Sequence, residues 1–142
     1  ILAGADPEKV KQLIADQELQ DHVMVADDVF DIDNYYAAAD FTVYSSEYES
    51  FCLGILEGMR YGLPSASFDV GGIPEVVEDP STGFMAPFRD SEKLGQAIAK
   101  LADHPELRSQ MGIAAKERAI NCFSADAVVK TYLNAYRQVM ED

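Results

Sequence analysis

The residues best placed to do chemistry lie in one stretch, Ser45-Ser46-Glu47-Tyr48-Glu49-Ser50-Phe51-Cys52-Leu53-Gly54-Ile55-Leu56-Glu57-Gly58-Met59. Glu49 stands just before a predicted helix, and Glu57 lies eight residues later, at about its second turn. A carboxylate accepts two hydroxyl hydrogen bonds at once, which suits a vicinal diol of a sugar or a ribose. Between the two acids, the start of the helix offers the backbone N–H groups of Phe51, Cys52 and Leu53, with Ser50 as the expected N-cap. Such amides, with the helix dipole behind them, suit a phosphate. Diol, phosphate, diol is the order of ribose, diphosphate and hexose in a nucleoside diphosphate sugar. An isolated pair of glutamates is more often two solvated surface charges, so the weight falls on the pattern around them.

That pattern alternates short apolar runs with longer amphipathic segments, which predicts βαβ units and a parallel sheet. Strands are expected at residues 1–3, 22–25, 41–44, 65–68 and 83–86. Helices are expected at 7–20 (with Asp6 as its cap), 32–39, 51–61 and 74–77. The helix over 51–61 has its stop in Gly62 with Pro64 beyond. Three further helices, 91–102, 105–121 and 125–140, follow with no strand between them. The expected fold is a Rossmann-like α/β domain over 1–142, with flanking helices and a helical C-terminal tail. In an open parallel sheet, ligands bind where loops leave the carboxyl ends of strands, which is where Ser45 to Ser50 would lie. The apolar stripe Val128, Tyr132, Leu133, Tyr136 and Val139 on the last helix reads as docking surface.

Composition narrows the function class. Apolar residues are 48% and charged residues 25% of the 142, an ordinary globular balance. The formal net charge of −14 argues against nucleic acid and against docking on anionic lipid. No apolar run approaches the roughly 20 residues a membrane-spanning helix needs. The two cysteines, Cys52 and Cys122, are too few for a disulfide scaffold, so a reduced, cytoplasmic setting is expected, with the inner face of the membrane reached only through other parts of a full-length protein. The chain opens on Ile-Leu-Ala-Gly without an initiator Met, which reads as the end of a buried strand in a piece of a longer protein.

Taken in order, Tyr36-x-x-Ala39-Asp40, Ser46-x-x-Glu49-x-Phe51, Leu56-Glu57-Gly58-Met59-x-x-Gly62-x-Pro64, Gly71-Gly72-x-Pro74-Glu75 and Gly83-Phe84-Met85 resemble glycosyltransferase family four (group 1) of the GT-B fold, in its C-terminal donor-binding domain. The resemblance covers nearly the whole chain from Gly4 on. It implies a mostly retaining transfer of a hexose from a nucleotide sugar to an acceptor. Glu57 would hold the ribose hydroxyls, Glu49 would contact the hexose near the reacting carbon as the catalytic residue of the site, and the amides of Phe51, Cys52 and Leu53 beside Ser50 would hold the diphosphate. The base would lie along the loop of Ala26, Asp27 and Val29. The resemblance implies no metal and no cofactor, the nucleotide sugar being a substrate. It also implies an acceptor domain that precedes this chain.

Three positions depart from the family pattern: Cys52 and Ala26 replace the usual glycines, and Gly58 replaces the usual alanine. No Lys or Arg lies between Lys11 and Arg60, and the family's cations for the diphosphate come from upstream of Ile1. The chain alone is therefore expected to bind nucleotide weakly and to transfer nothing. Two other readings stay open: another GT-B enzyme, such as a sugar-nucleotide epimerase or an inverting transferase, and a non-catalytic nucleotide-sugar-binding module. Asp69 and Glu75, either side of the glycine pair, are each either donor-facing or merely local acids.

Overall fold

The computed structural model describes residues 7–26 and 29–141. The chain divides into two compact units, Ile1–Tyr35 and Tyr36–Asp142. The strand end expected at 1–3, the Asp6 cap and Asp27 of the base loop lie outside the described residues.

In the first unit, α1 spans Pro7–Asp16. It ends four residues before the expected limit at Gln20, for a reason the side chains do not advertise. Glu18 adopts a left-handed φ of 56°, and the Glu18 and Leu19 amides donate back to the carbonyls of Ala15 and Ile14 at 3.1 and 2.9 Å. This is a Schellman stop, a geometry usually signalled by glycine. The strand expected over 22–25 amounts, among the described residues, to a single bridge at Val25. Helix α2, Ile32–Ala38, starts in this unit, and its residues from Tyr36 on belong to the second.

The second unit is built on a parallel sheet of β1 (Thr42–Tyr44), β2 (Ser65–Phe68) and β3 (Gly83–Ala86), in that order. Val43 is registered with Ala66, and Ala66 with Phe84. Parallel neighbours require crossovers, and these are α3 (Leu53–Arg60) and the short α4 (Ile73–Val76). All four residues of the central strand are buried, as expected for a strand covered on both faces.

On one side Ile55 and Met59 of α3 pack with Ile73, Val76, Val77 and with Ala115 and Ala119 of α6 (Pro105–Phe123). On the other, Ala66, Phe68 and Ala86 pack with Leu94 and Leu101 of α5 (Ser91–Asp103) and with Met111. The Asp90 side chain caps α5 by accepting from the Lys93 amide at 3.0 Å. Arg108 closes the other end of α5: it donates to the carbonyls of Leu101 and Ala102 at 2.7 and 3.1 Å, and reaches Asp40 Oδ1 at 3.0 Å. Asp40, the last residue of the Tyr36 motif, thus has a structural partner. Helix α7 (Ala125–Glu141) has no buried residue, and its predicted stripe is exposed, Tyr136 at 61% and Val139 at 77%.

Candidate functional site

Three loops leave the carboxyl ends of the strands: 45–52 after β1, 69–72 after β2 and 87–90 after β3. The predicted acids sit on and beside the first of them. Glu49 is half-buried, and its Oε1 accepts from the Ser46 hydroxyl at 2.7 Å. That bond explains the Ser46-x-x-Glu49 spacing, since a serine three residues back can reach the carboxylate within one turn of loop.

The helix begins two residues later than expected. Cys52, not Ser50, is the N-cap residue of α3; its backbone is left-handed (φ 60°, ψ 67°), with no side-chain cap bond. Leu53 is therefore the first helical residue, while the amides of Phe51 and Cys52 belong to the loop that approaches it. The Cys52 side chain is turned into the core beside Ile55, Met59 and Ile73. Burial raises its thiol pKa, and the neighbouring Glu49 carboxylate adds to the rise. A left-handed backbone disfavours any residue with a Cβ and favours glycine. Replacing Cys52 by glycine removes that strain and replacing it by alanine does not. The glycine variant is expected to be the more stable of the two by about 1 kcal/mol, measured by equilibrium urea unfolding; alanine as the more stable would refute the strain.

Glu57 is exposed on the second turn of α3. Helical side chains lean toward the N-terminus, so its carboxylate lies over the first turn. The Tyr36 hydroxyl marks the place, lying 3.2 Å from Glu57 Oε2 and 3.2 Å from the Gly54 carbonyl oxygen. Tyr36 is buried and stacks on Tyr61, ring centroids 5.7 Å apart. Burial raises its pKa first; the Tyr44 hydroxyl lowers it in part, and Glu57 raises it further. Tyr44, pushed far up by burial, abuts Gly54. Both phenols stay protonated and able to donate. The Tyr36-x-x-Ala39-Asp40 pattern contains the first of these tyrosines, but nothing in its spacing connects Tyr36 with Glu57.

The second loop carries the glycine pair. Gly71 has φ 53°, and a Cβ built there would run into the carbonyl oxygen of Glu49. A Cβ on Gly72 would meet the carbonyl oxygen of Ser50 and Phe51 Cα. The Gly72 amide donates to the Glu49 carbonyl at 3.3 Å. The two glycines form the floor on which residues 49–51 rest. Asp69, before the turn, is exposed, and its amide donates to the Ala86 carbonyl at 2.8 Å.

A family model described as "Glycosyl transferases group 1" matches residues 1–118. The chain belongs to the group 1 glycosyl transferases. Within the family it is 31% identical to N-acetyl-alpha-D-glucosaminyl L-malate synthase of Bacillus anthracis, over 100% of this chain and 38% of that protein. It is 36% identical to D-inositol 3-phosphate glycosyltransferase of Saccharomonospora viridis, over 78% of this chain and 25% of that protein. The chain thus spans well under half the length of these relatives. Among solved structures, sucrose-phosphate synthase from Thermosynechococcus elongatus superposes with a TM-score of 0.84 at 28% identity, covering 99% of this chain and 38% of that one. An Anabaena protein solved in complex with UDP-glucose shares the fold at a TM-score of 0.82 and 23% identity, over 92% of this chain and 36% of that one.

In this group 1 chain, two arginines from outside the acidic window brace the loops and helix around these acids. Arg89, after β3, has its Nη2 and Nε at 2.7 and 3.1 Å from Glu47 Oε1, on the same loop as Glu49. Both side chains are more than half exposed, so the pair adds little stability. Nothing within residues 11–60 points to Arg89; the rule that parallel strands bring their carboxyl ends to one edge does. Arg118 of α6 is better buried. It donates to the carbonyls of Val76 (2.8 Å) and Glu75 (2.9 Å) and reaches Glu78 Oε2 at 3.4 Å. Its guanidinium also lies 5.6 Å from the Phe123 ring centroid, and Phe123 packs edge-on against Phe51. Glu75 thus contributes its carbonyl to the Arg118 clasp, a role the motif alone does not indicate. Among the described residues no three His, Cys, Asp or Glu side chains cluster to hold a metal, and no helix is long and apolar enough to cross a membrane.

Proposed function

We propose that this chain is the donor-binding domain of a glycosyltransferase. It holds a nucleoside diphosphate sugar for retaining transfer of a hexose, while the acceptor site and the cations for the diphosphate come from the rest of the protein. One observation carries the reading: the amino end of α3 opens at the carboxyl edge of a parallel sheet, with the half-buried carboxylate of Glu49 on the loop entering it and that of Glu57 on its second turn. Glu57 binds the ribose diol, and Glu49 faces the hexose as the catalytic carboxylate. The loop and helix amides from Phe51 to Leu53, next to Ser50, stabilise the diphosphate as the glycosidic bond breaks. Relatives whose names specify glycosyl transfer, and a neighbour solved with UDP-glucose, support the donor class. The exposed stripe of α7 is read as surface for the remaining domain.

Calorimetric titration with UDP-, GDP- and ADP-sugars, run in EDTA because the reading needs no divalent metal, tests it. Glu57→Ala is expected to weaken donor binding roughly 10- to 100-fold, the worth of hydrogen bonds to a charged acceptor. Unchanged affinity would remove Glu57 from the site. Micromolar donor affinity or turnover by residues 1–142 alone would refute the dependence on the rest of the protein.

A further inference from the structure

Glu57 is not a free surface acid. Its Oε2 lies 3.2 Å from the Tyr36 hydroxyl, and that hydroxyl is equally close to the Gly54 carbonyl, one turn earlier on α3. Among the described residues Oε1 has no partner. Tyr36 cannot easily give way: it is buried and stacked on Tyr61 with an interplanar angle of 25°. On its other side the Tyr44 hydroxyl fills the space beside Gly54, where a Cβ would come within 2.6 Å of it. The position of Glu57 is thus set by a phenol 21 residues earlier in the chain and by a second phenol that fills the space behind it.

We propose that Tyr36 is a positioning residue for ribose recognition, holding Glu57 with Oε1 turned to the ligand before any ligand arrives. This rests on the donor reading above. Each carboxylate oxygen accepts two hydrogen bonds, so the single Tyr36 proton, shared between Oε2 and the Gly54 carbonyl, takes at most one of the four and leaves enough for a vicinal diol. A glutamate on an exposed helix face otherwise samples many rotamers, and its ordering would be charged against binding. Fixing it in advance sharpens selection for a nucleotide that carries both ribose hydroxyls.

The test compares UDP, GDP and ADP with their 2′,3′-dideoxy forms, titrated into the complete protein. The readout is the affinity ratio within each protein, which cancels any loss of folded material. The wild type is expected to prefer the ribonucleotide. Tyr36→Phe, which keeps the ring and its stack on Tyr61, is expected to reduce that preference roughly 3- to 10-fold, part of the worth of a hydrogen bond to a charged group. In a Glu57→Gln background the same substitution is expected to change the ratio no further. A wild-type ratio in Tyr36→Phe, with the ratio lost in Glu57→Gln, overturns the role of Tyr36 and leaves the donor reading standing. An equal effect of Tyr36→Phe in both backgrounds overturns it too, because that is the behaviour of a packing residue. A ratio that survives Glu57→Gln, or no binding of any of the three nucleotides, overturns the donor reading and this inference together.

Discussion

Alanine at Gly71 is expected to destabilise the chain by about 3 kcal/mol and to abolish measurable nucleotide binding in the complete protein. Two costs combine. The left-handed φ of 53° strains any residue with a Cβ by about 1–2 kcal/mol. The new methyl also occupies the place of the Glu49 carbonyl oxygen, and over-packing against backbone costs about 1–3 kcal/mol. The loop cannot absorb the methyl by turning a side chain. It must lift as backbone, carrying Glu49 and the amides of Phe51 and Cys52 with it. Urea unfolding reads the first effect and calorimetry the second. Full nucleotide affinity in Gly71→Ala would show that residues 49–51 do not depend on the glycine floor.

Replacing Arg118 by alanine is expected to cost about 2–4 kcal/mol in urea unfolding, through the loss of two charge-assisted bonds to backbone carbonyls. Its side chain is one-quarter exposed, so water screens the bonds and the loss stays below that of a fully buried pair. Arg118 closes the last turn of α4, the helix that begins where the glycine pair ends. The same residue lies against Phe123, which in turn touches Phe51 of the first loop. Arg118→Ala should therefore weaken nucleotide binding as well as stability. Arg118→Lys keeps a charge but offers no planar fork for two carbonyls, and should recover less than half of either loss. Complete recovery by lysine would mean that charge alone, not the clasp, is what matters.

Much of the architecture could be read from residue order. The alternation of short β-prone runs and amphipathic segments placed β1, β2 and β3 within a residue of where they lie, because each run is bounded by turn residues a few positions away. The stop of α3 before Gly62 and the helices α5, α6 and α7 were equally legible, since their signals are local. Boundaries failed where the chain broke its own rules. Glu18 and Cys52 occupy left-handed positions without being glycine, so α1 runs shorter and α3 begins later than the side chains suggest.

The site divides in the same way. Glu49, Glu57 and the glycine pair stand out as candidates in the order of residues, because each belongs to a motif confined to one loop or one helix; the helix start between the acids was placed two residues early, since the left-handed Cys52 carries no local signal. Their supports do not stand out. Tyr36 on Glu57, Gly71 and Gly72 beneath residues 49–51, Arg89 on Glu47, and Arg118 on α4 are contacts across 21 to 43 residues. Such contacts exist only once parallel pairing has brought three strand ends to one edge and packed α6 against α3. Local chemistry names the groups that would touch a ligand; the long-range packing of the sheet and its helices decides how firmly each is held, and in which direction it points.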